Sequence, residues 1–244
     1  VKVMKAVVFD LVGKFAHFRK FYTNSSSLSY LIPPRTTLQG VCAAILGYER
    51  DTYYEKLSKE RFSLTVTIKS TIRRIMQTVN YISIKSESDI YKYTEHTQIP
   101  FEILCGDDEI RYRVYASHKD EEINLKLYSM IKDNQTELPL YMGCAPFSCV
   151  AEFVGFFDLY KKEPNQSIDL RTPLNIKEIE GKSLDFSQEL SLVKERMPAD
   201  FTKERSCCEV NSYIYEETGK PVYVKLKRPY YQVDSNESEN IIFM

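Results

Sequence analysis

The chain of 244 residues carries 33 Lys and Arg against 34 Asp and Glu, a formal net charge of −1, with 43% hydrophobic and 27% charged residues. This composition belongs to a globular protein with apolar content enough for a large core, and it excludes collagen-like, low-complexity and intrinsically disordered chains. The near-neutral sum hides a polarity: residues 1–85 hold 14 Lys and Arg against 5 Asp and Glu, and residues 86–244 hold 19 against 29, so a basic front half is expected to face a polyanion while the acidic remainder is solvated or faces another partner.

In chain order, "VKVMKAVVFDL" reads as a strand apolar on both faces, hence central in a covered sheet. Its apolar run is too short for a signal peptide, and the uncharged stretch 138–151 is interrupted by Pro139, Gly143 and Pro146, so neither export nor a membrane span is expected. The next segment, "GKFAHFRKFYTNSSSLSYLIPPRTTLQG", alternates cations with aromatics and ends where a helix begins. In "RTTLQGVCAAILG", Leu38, Val41, Cys42 and Ile45 recur at helical spacing, a threonine is the expected N-cap and Gly47 the stop. Gly40, Ala43, Ala44 and Gly47 make one side of this helix small, which predicts close packing there. A short second helix is expected in "RDTYYEKLS". "FSLTVTIKS" alternates cleanly and is a strand.

After Ser70 the alternation fails. "TIRRIMQTVNYISIK" keeps strand formers but mixes in Arg73, Arg74, Gln77 and Asn80, the composition of a projecting ribbon. "PFEIL" and "EIRYRVYAS" read as a hairpin closed at Gly106-Asp107-Asp108. A second long helix follows, with Ser117 and Asp120 as a weak capping box and Ile123, Leu127, Met130 and Ile131 as its apolar stripe. "SCVAEFVGFFDLY" supplies a further strand. The order strand, helix, strand, strand, helix, strand predicts an α+β fold of ferredoxin-like βαββαβ type over residues 1–160, with a thumb inserted at about 70–98. Residues 161–244 form a C-terminal extension, acidic and loop-rich to about Ser206 and then a hairpin turning at Thr218-Gly219. The six cysteines, at 42, 105, 144, 149, 207 and 208, lack paired C-x-x-C spacing, and His17, His96 and His118 do not sit at ligand spacing from them. They read as free thiols of a reducing, cytoplasmic compartment, with no metal or other cofactor expected.

A loop carrying Lys14, Arg19 and Lys20 into the helix start at Arg35 suits phosphate, and Phe15, Phe18, Phe21 and Tyr22 offer rings for stacking bases, the pattern of single-stranded nucleic-acid binding. Burial of the phenylalanines in a core is the alternative.

The motifs "GKFAHFRKFYTNSSSLSYLIPPRTTLQGVCAAILG", "RRIMQTVNYISIK", "HTQIPFEIL", "RYRVYASH" and "LPLYMGC", in this order, resemble the fifth Cas family, the RAMP subunit of type I CRISPR Cascade, and within it the I-B-like branch. The resemblance covers roughly residues 3–157. It implies a non-catalytic RNA-binding subunit that caps the 5′ handle of the crRNA, touches the backbone subunit and the large PAM-reading subunit, and through them meets target DNA. Carried onto this chain, it makes Lys14, His17, Arg19, Lys20, Tyr22, Arg35 and Gln39 candidates for handle contact and places Arg73, Arg74, Gln77, Asn80 and Tyr81 on the thumb. RAMP proteins usually carry a glycine-rich loop late in the fold; here that loop retains only Gly143, which with Tyr141 is a further candidate for RNA contact. A related branch, the I-C type, cuts precursor crRNA without metal, and the same resemblance would make His17, Lys20 and Tyr22 a catalytic set. A protein-interaction module using the acidic half is a third reading.

Overall fold

The computed structural model describes residues 4–84, 86–92, 95–185, 189–235 and 238–244. Val1 to Val3 of the first expected strand, Lys85, Tyr93 and Thr94 of the expected thumb, residues 186–188 of the acidic stretch, and residues 236 and 237 of the polar tail lie outside the described residues. The elements are β1 Met4–Ala16, a short ribbon of β2 Phe18–Arg19 and β3 Ser29–Tyr30, helix α1 Arg35–Leu46, β4 Phe62–Ile68, β5 Arg73–Ile82, a single turn α2 Ser88–Tyr91, β6 His96–His118, α3 Glu121–Lys132 and β7 Cys149–Lys162. The chain continues through β8 Ile168–Leu170, β9 Leu174–Asn175, a 3-10 turn, β10 Leu192–Phe201, β11 Cys207–Glu216, β12 Val222–Val224, β13 Tyr230–Val233 and β14 Glu239–Ile241.

Strands β7, β1, β6 and β4 lie side by side in that order, every neighbouring pair antiparallel. With α1 between β1 and β4 and α3 between β6 and β7, this is the strand order of a βαββαβ unit, and the mixed, mainly antiparallel class expected from the sequence holds. The apolar character of β1 on both faces has a direct cause. Val7, Phe9 and Leu11 enter the main core beneath the helices with Leu38, Cys42, Ile45 and Leu127. Ala6 and Val8 face the other side, where Leu159, Val233 and Ile241 cover them. The sheet is extended by β13 and β14, which pair outside β7. Beyond the sheet edge, β5 pairs with the first half of β6 over Arg73 to Ile82 to make the exposed two-stranded thumb.

Several local expectations need correction. The N-cap of α1 is Pro34 and no side chain caps it, so the threonines lie inside the first turn; the carbonyl of Pro34 takes the N–H of Thr37 and Leu38. Gly47 does end the helix, at φ 78 in the left-handed region. The short helix expected after it is a string of turns, because Asp51 sits at φ 63 and interrupts any helical run. "PFEIL" and "EIRYRVYAS" are one strand: between Phe15–Cys105 and Gly13–Ile110, β6 spends five residues where β1 spends two, and the polar segment is a bulge. Asp120 itself caps α3, its carboxylate accepting from Glu122 N–H, while Ser117 belongs to β6.

The C-terminal part departs further. The acidic stretch contains β10, whose Glu195, Met197 and Ala199 point inward and whose Pro198 is tolerated because β10 is paired on one side only, at a register shift. The chain does turn at Gly219, φ 80, but β11 pairs with β10 and β9 while β12 pairs with β8, so no hairpin forms. The Glu216 carboxylate accepts from the backbone N–H of Thr218 and of Lys220 and closes the turn on itself. Met197, Tyr213, Tyr215 and Met244 all contribute to the main core.

Candidate nucleic-acid interface

The basic segment leaves β1 at His17, folds back as the β2–β3 ribbon and enters α1 at Arg35. A turn fixes its shape: Lys20 N–H donates to Leu28 O at 2.8 Å, and Thr23 donates its hydroxyl to Lys20 O at 3.1 Å. Within this framework the cations expected to meet phosphate divide into two groups. Arg19 is exposed and Lys14 is exposed with its ammonium on Asp108 O at 2.8 Å. Arg35, by contrast, is fully buried, and its guanidinium donates to the carbonyls of Ala199, Leu57 and Phe62 and to Asp200 Oδ1. Gln39 is buried too and donates to the carbonyls of Leu57 and Tyr54. Both therefore hold the protein together where the sequence suggested RNA contact.

His17 is 2% exposed, with Nδ1 2.7 Å from Glu102 O, Nε2 3.0 Å from the Ser27 hydroxyl and its ring stacked on Phe101. Burial lowers its pKa, against smaller opposing effects of Glu102, so the neutral ring is favoured. Lys20 donates to Glu195 at 2.5 Å and Tyr22 donates to the other oxygen of the same carboxylate at 2.9 Å. Burial, the hydrogen bond to Glu195 and its charge push the Tyr22 phenol up to about 12. Of the rings, Phe18 enters the core at 3% exposure whereas Phe15, Phe21 and Tyr22 stay open to solvent at 46–51%.

On the thumb, Arg73, Arg74, Gln77, Asn80 and Tyr81 are all exposed. Arg73 pairs with Asp107 at 2.5 Å, and Arg74 lies 3.8 Å from Glu102 and 3.7 Å from Glu217. Ile75, Met76 and Ile82 are likewise 46–56% exposed, so this ribbon has one half of a binding surface and none of a core.

Between the basic segment and α1 opens a cleft of about 480 Å³. Its floor is the small side of α1, including Thr37 and Gly40, and its walls bring together Phe21, Tyr53 and Tyr141 with Arg19, Arg50 and Arg205. The small side of the helix is divided: Ala43 is buried in the core, whereas Gly40 opens to the cleft, where a Cβ would meet only the Tyr53 hydroxyl, at 3.3 Å. The far wall is hung between α1 and the basic segment, Leu138 N–H bonding Ala44 O and His17 N–H bonding Met142 O. Gly143 is required there; at φ 86, a Cβ would lie 1.9 Å from His17 O. The close approach that glycine permits is therefore to the protein's own strand, with Tyr141 exposed beside it. Arg50 and Arg205 were not legible from sequence as partners: Asp51 holds them, at 3.4 and 3.7 Å, across more than half the chain length. Arg19 also lines a smaller slot, with Asn24, Ser26 and Ser27 of its own loop facing Tyr81 and Ile99 of the thumb. The two concavities consequently meet at Arg19.

Chemically, three arginines lining one cleft suit phosphate, and the tyrosine and phenylalanine rings suit stacked bases. No cluster of His, Cys, Asp and Glu able to hold a metal ion occurs among the described residues, and none of their helices is long and apolar enough to cross a membrane.

Residues 6–105 match the model of a family described as CRISPR-associated protein (Cas_Cas5). Among solved structures, the fold is similar to that of a CRISPR protein from Archaeoglobus fulgidus, with a TM-score of 0.63 and 14% identity over 98% of this chain and 99% of that one. It is also similar to a chain of a CRISPR RNA-guided surveillance complex, with a TM-score of 0.50 and 13% identity over 92% and 91% of the two chains. No curated protein matches significantly.

Proposed function

We propose, from the match of residues 6–105 to the model of the CRISPR-associated Cas5 family, that this chain is a crRNA-binding subunit of a CRISPR surveillance complex that holds RNA without cutting it. The observation that carries this reading is the cleft in which Arg19, Arg50 and Arg205 converge over aromatic walls. In finer terms, it caps the 5′ handle of the crRNA in a type I, Cascade-like assembly, with the cleft taking handle nucleotides and the thumb reaching RNA or the neighbouring backbone subunit. The large, PAM-reading subunit is its further partner. A solved relative of the fold is itself a chain of an RNA-guided surveillance complex, which agrees with this assignment.

The binding-only part of the proposal is supported by the state of the three residues that could have formed a cutting site. A general base must reach the ribose hydroxyl, yet both ring nitrogens of His17 are engaged inside the protein. Lys20 is tied to Glu195, and the raised Tyr22 phenol is the reverse of what proton abstraction needs. The test is to copurify the chain with its partner subunits, sequence any bound RNA, and incubate the free protein with the cognate repeat RNA in EDTA. A bound RNA of defined 5′ end that stays intact is expected. A specific cut abolished by His17→Ala overturns the binding-only reading, and complexes free of RNA overturn the whole assignment.

A further inference from the structure

The turn that carries Arg19, Lys20, Phe21 and Tyr22 places successive side chains on opposite sides. Arg19 and Phe21 line the cleft. Lys20 and Tyr22 instead converge on one carboxylate, that of Glu195, which is 8% exposed on β10 of the C-terminal part. The Lys20 ammonium also lies 5.7 Å from the centre of the Tyr30 ring, and Tyr30 donates its hydroxyl to the carbonyl of the next β10 residue, Arg196, at 2.5 Å. The hydrogen bonds of Lys20, Tyr22 and Tyr30 on this side thus tie the basic segment to one strand more than 160 residues away in sequence. A lysine whose side chain is 16% exposed and already neutralised at 2.5 Å is a poor phosphate ligand, since meeting RNA would leave a buried carboxylate without its counter-ion.

Building on the proposed RNA-binding function, we infer that Glu195 is a positioning residue of the RNA surface: by clasping Lys20 and Tyr22 from behind, it sets Arg19 and Phe21 into the cleft, so that Arg19 meets phosphate and Lys20 does not. The strand supports this task through its own irregularity. The register shift after Pro198 lets Asp200, five positions on, face inward like Glu195. There it takes the Arg35 guanidinium, so that both ends of the basic segment rest on carboxylates of β10.

The salt dependence of RNA binding separates a phosphate ligand from a residue that only shapes the site. Each phosphate contact to single-stranded RNA contributes about 0.7 to the slope of log affinity against log salt. Affinities of the full chain for a labelled single-stranded RNA of mixed sequence would be measured from low to moderate salt for the wild type and for Arg19→Met, Lys20→Met, Glu195→Gln and Tyr22→Phe. The slope should drop by about 0.7 in Arg19→Met. Lys20→Met and Glu195→Gln should weaken binding with the slope unchanged, and the double variant should be no weaker than either single one, because both remove the same contact. Tyr22→Phe, which deletes one hydroxyl and leaves the ion pair, keeps the test decisive if Glu195→Gln fails to fold; it should weaken binding in the same slope-neutral way. A slope reduced in Lys20→Met as in Arg19→Met, or tighter binding in Glu195→Gln, would make Lys20 a phosphate ligand masked by Glu195 and overturn the inference alone. A wild type that binds no RNA would overturn the functional reading beneath it.

Discussion

Replacing Arg35 by methionine gives the sharpest test of how the front of this protein is built. Arg35 lies at the start of a helix in a basic segment, where it reads as a phosphate ligand, yet its side chain is fully buried. Methionine fills much of the same volume, so the loss is chiefly polar. The carbonyls of Ala199 and Phe62 lose a donor, as does that of Leu57, which keeps a bond from Gln39. Asp200 loses its counter-ion at 3.2 Å but keeps the backbone N–H groups of Lys59 and Phe201. Breaking a buried pair from one side costs about 3–5 kcal/mol; the retained bonds argue for the middle of that range, about 4 kcal/mol. At about 2–4 °C per kcal/mol for a chain of this size, the melting temperature should fall by about 8–16 °C. Circular dichroism melts of the purified variant measure this, and Arg35→Lys should fall part of the way because one ammonium cannot span all four acceptors. A shift below about 2 °C accompanied by lost RNA affinity would refute the reasoning and return Arg35 to the RNA surface.

Gly40→Leu should obstruct the cleft floor and weaken RNA binding at least tenfold, about 1.4 kcal/mol, with little change in melting temperature, since only the Tyr53 hydroxyl stands within van der Waals reach; a collapsed fold with no cleft effect would put that helix side in a packed interface. Arg73→Glu/Arg74→Glu should lower RNA affinity at every sequence and reduce the salt slope by about 0.7 for each phosphate the variant no longer neutralises, with an unchanged circular dichroism spectrum because their ion pairs are exposed and weak; an unaltered slope would reassign the thumb arginines to protein contact. Glu239 has a lowered pKa: burial opposes the shift, but hydrogen bonds from Lys69 and Tyr115 and the charges of Lys69 and Arg113 outweigh it. The stability it contributes is therefore complete above its unfolded value of about 4.3 and is lost as pH falls through the lower folded value. Urea melts of Glu239→Gln across that window should show a flatter acid limb than the wild type, and identical limbs would remove Glu239 from the acid response.

The sequence made the central frame legible because its signals are local. Alternation in "FSLTVTIKS", the two-sided apolar run of β1 and the helical spacing of Leu38, Val41, Cys42 and Ile45 each report burial directly. What it could not report was pairing between distant charges. Nothing near Arg35 distinguishes a cation bound for phosphate from one bound for Asp200, and nothing near Lys20 announces Glu195. β10 escaped notice for a related reason: Lys194, Glu195 and Arg196 look solvated, although the middle one is buried against a lysine from another region. The thumb was legible through the failure of a pattern, since Arg73 and Arg74 stand together, Ile75 and Met76 follow together, and no core lies behind them. The polar run Gly106-Asp107-Asp108 misled because a wide bulge and a hairpin turn recruit the same residues.

The dependence of the front of the molecule on β10 also sets an order of events during synthesis. A nascent chain emerges from its N-terminus and its early segments begin to fold first; by the time β7 has appeared, the four-stranded sheet and both long helices are available. Tyr30 then still lacks the Arg196 carbonyl, Arg35 still lacks Asp200, and the core still lacks Met197, Tyr213 and Tyr215. The basic segment therefore lacks its β10 partners on the ribosome until the last fifth of the chain has followed it out. A chain truncated before β10 would carry every cation of the basic segment without the carboxylates of Glu195 and Asp200 that hold Lys20 and Arg35.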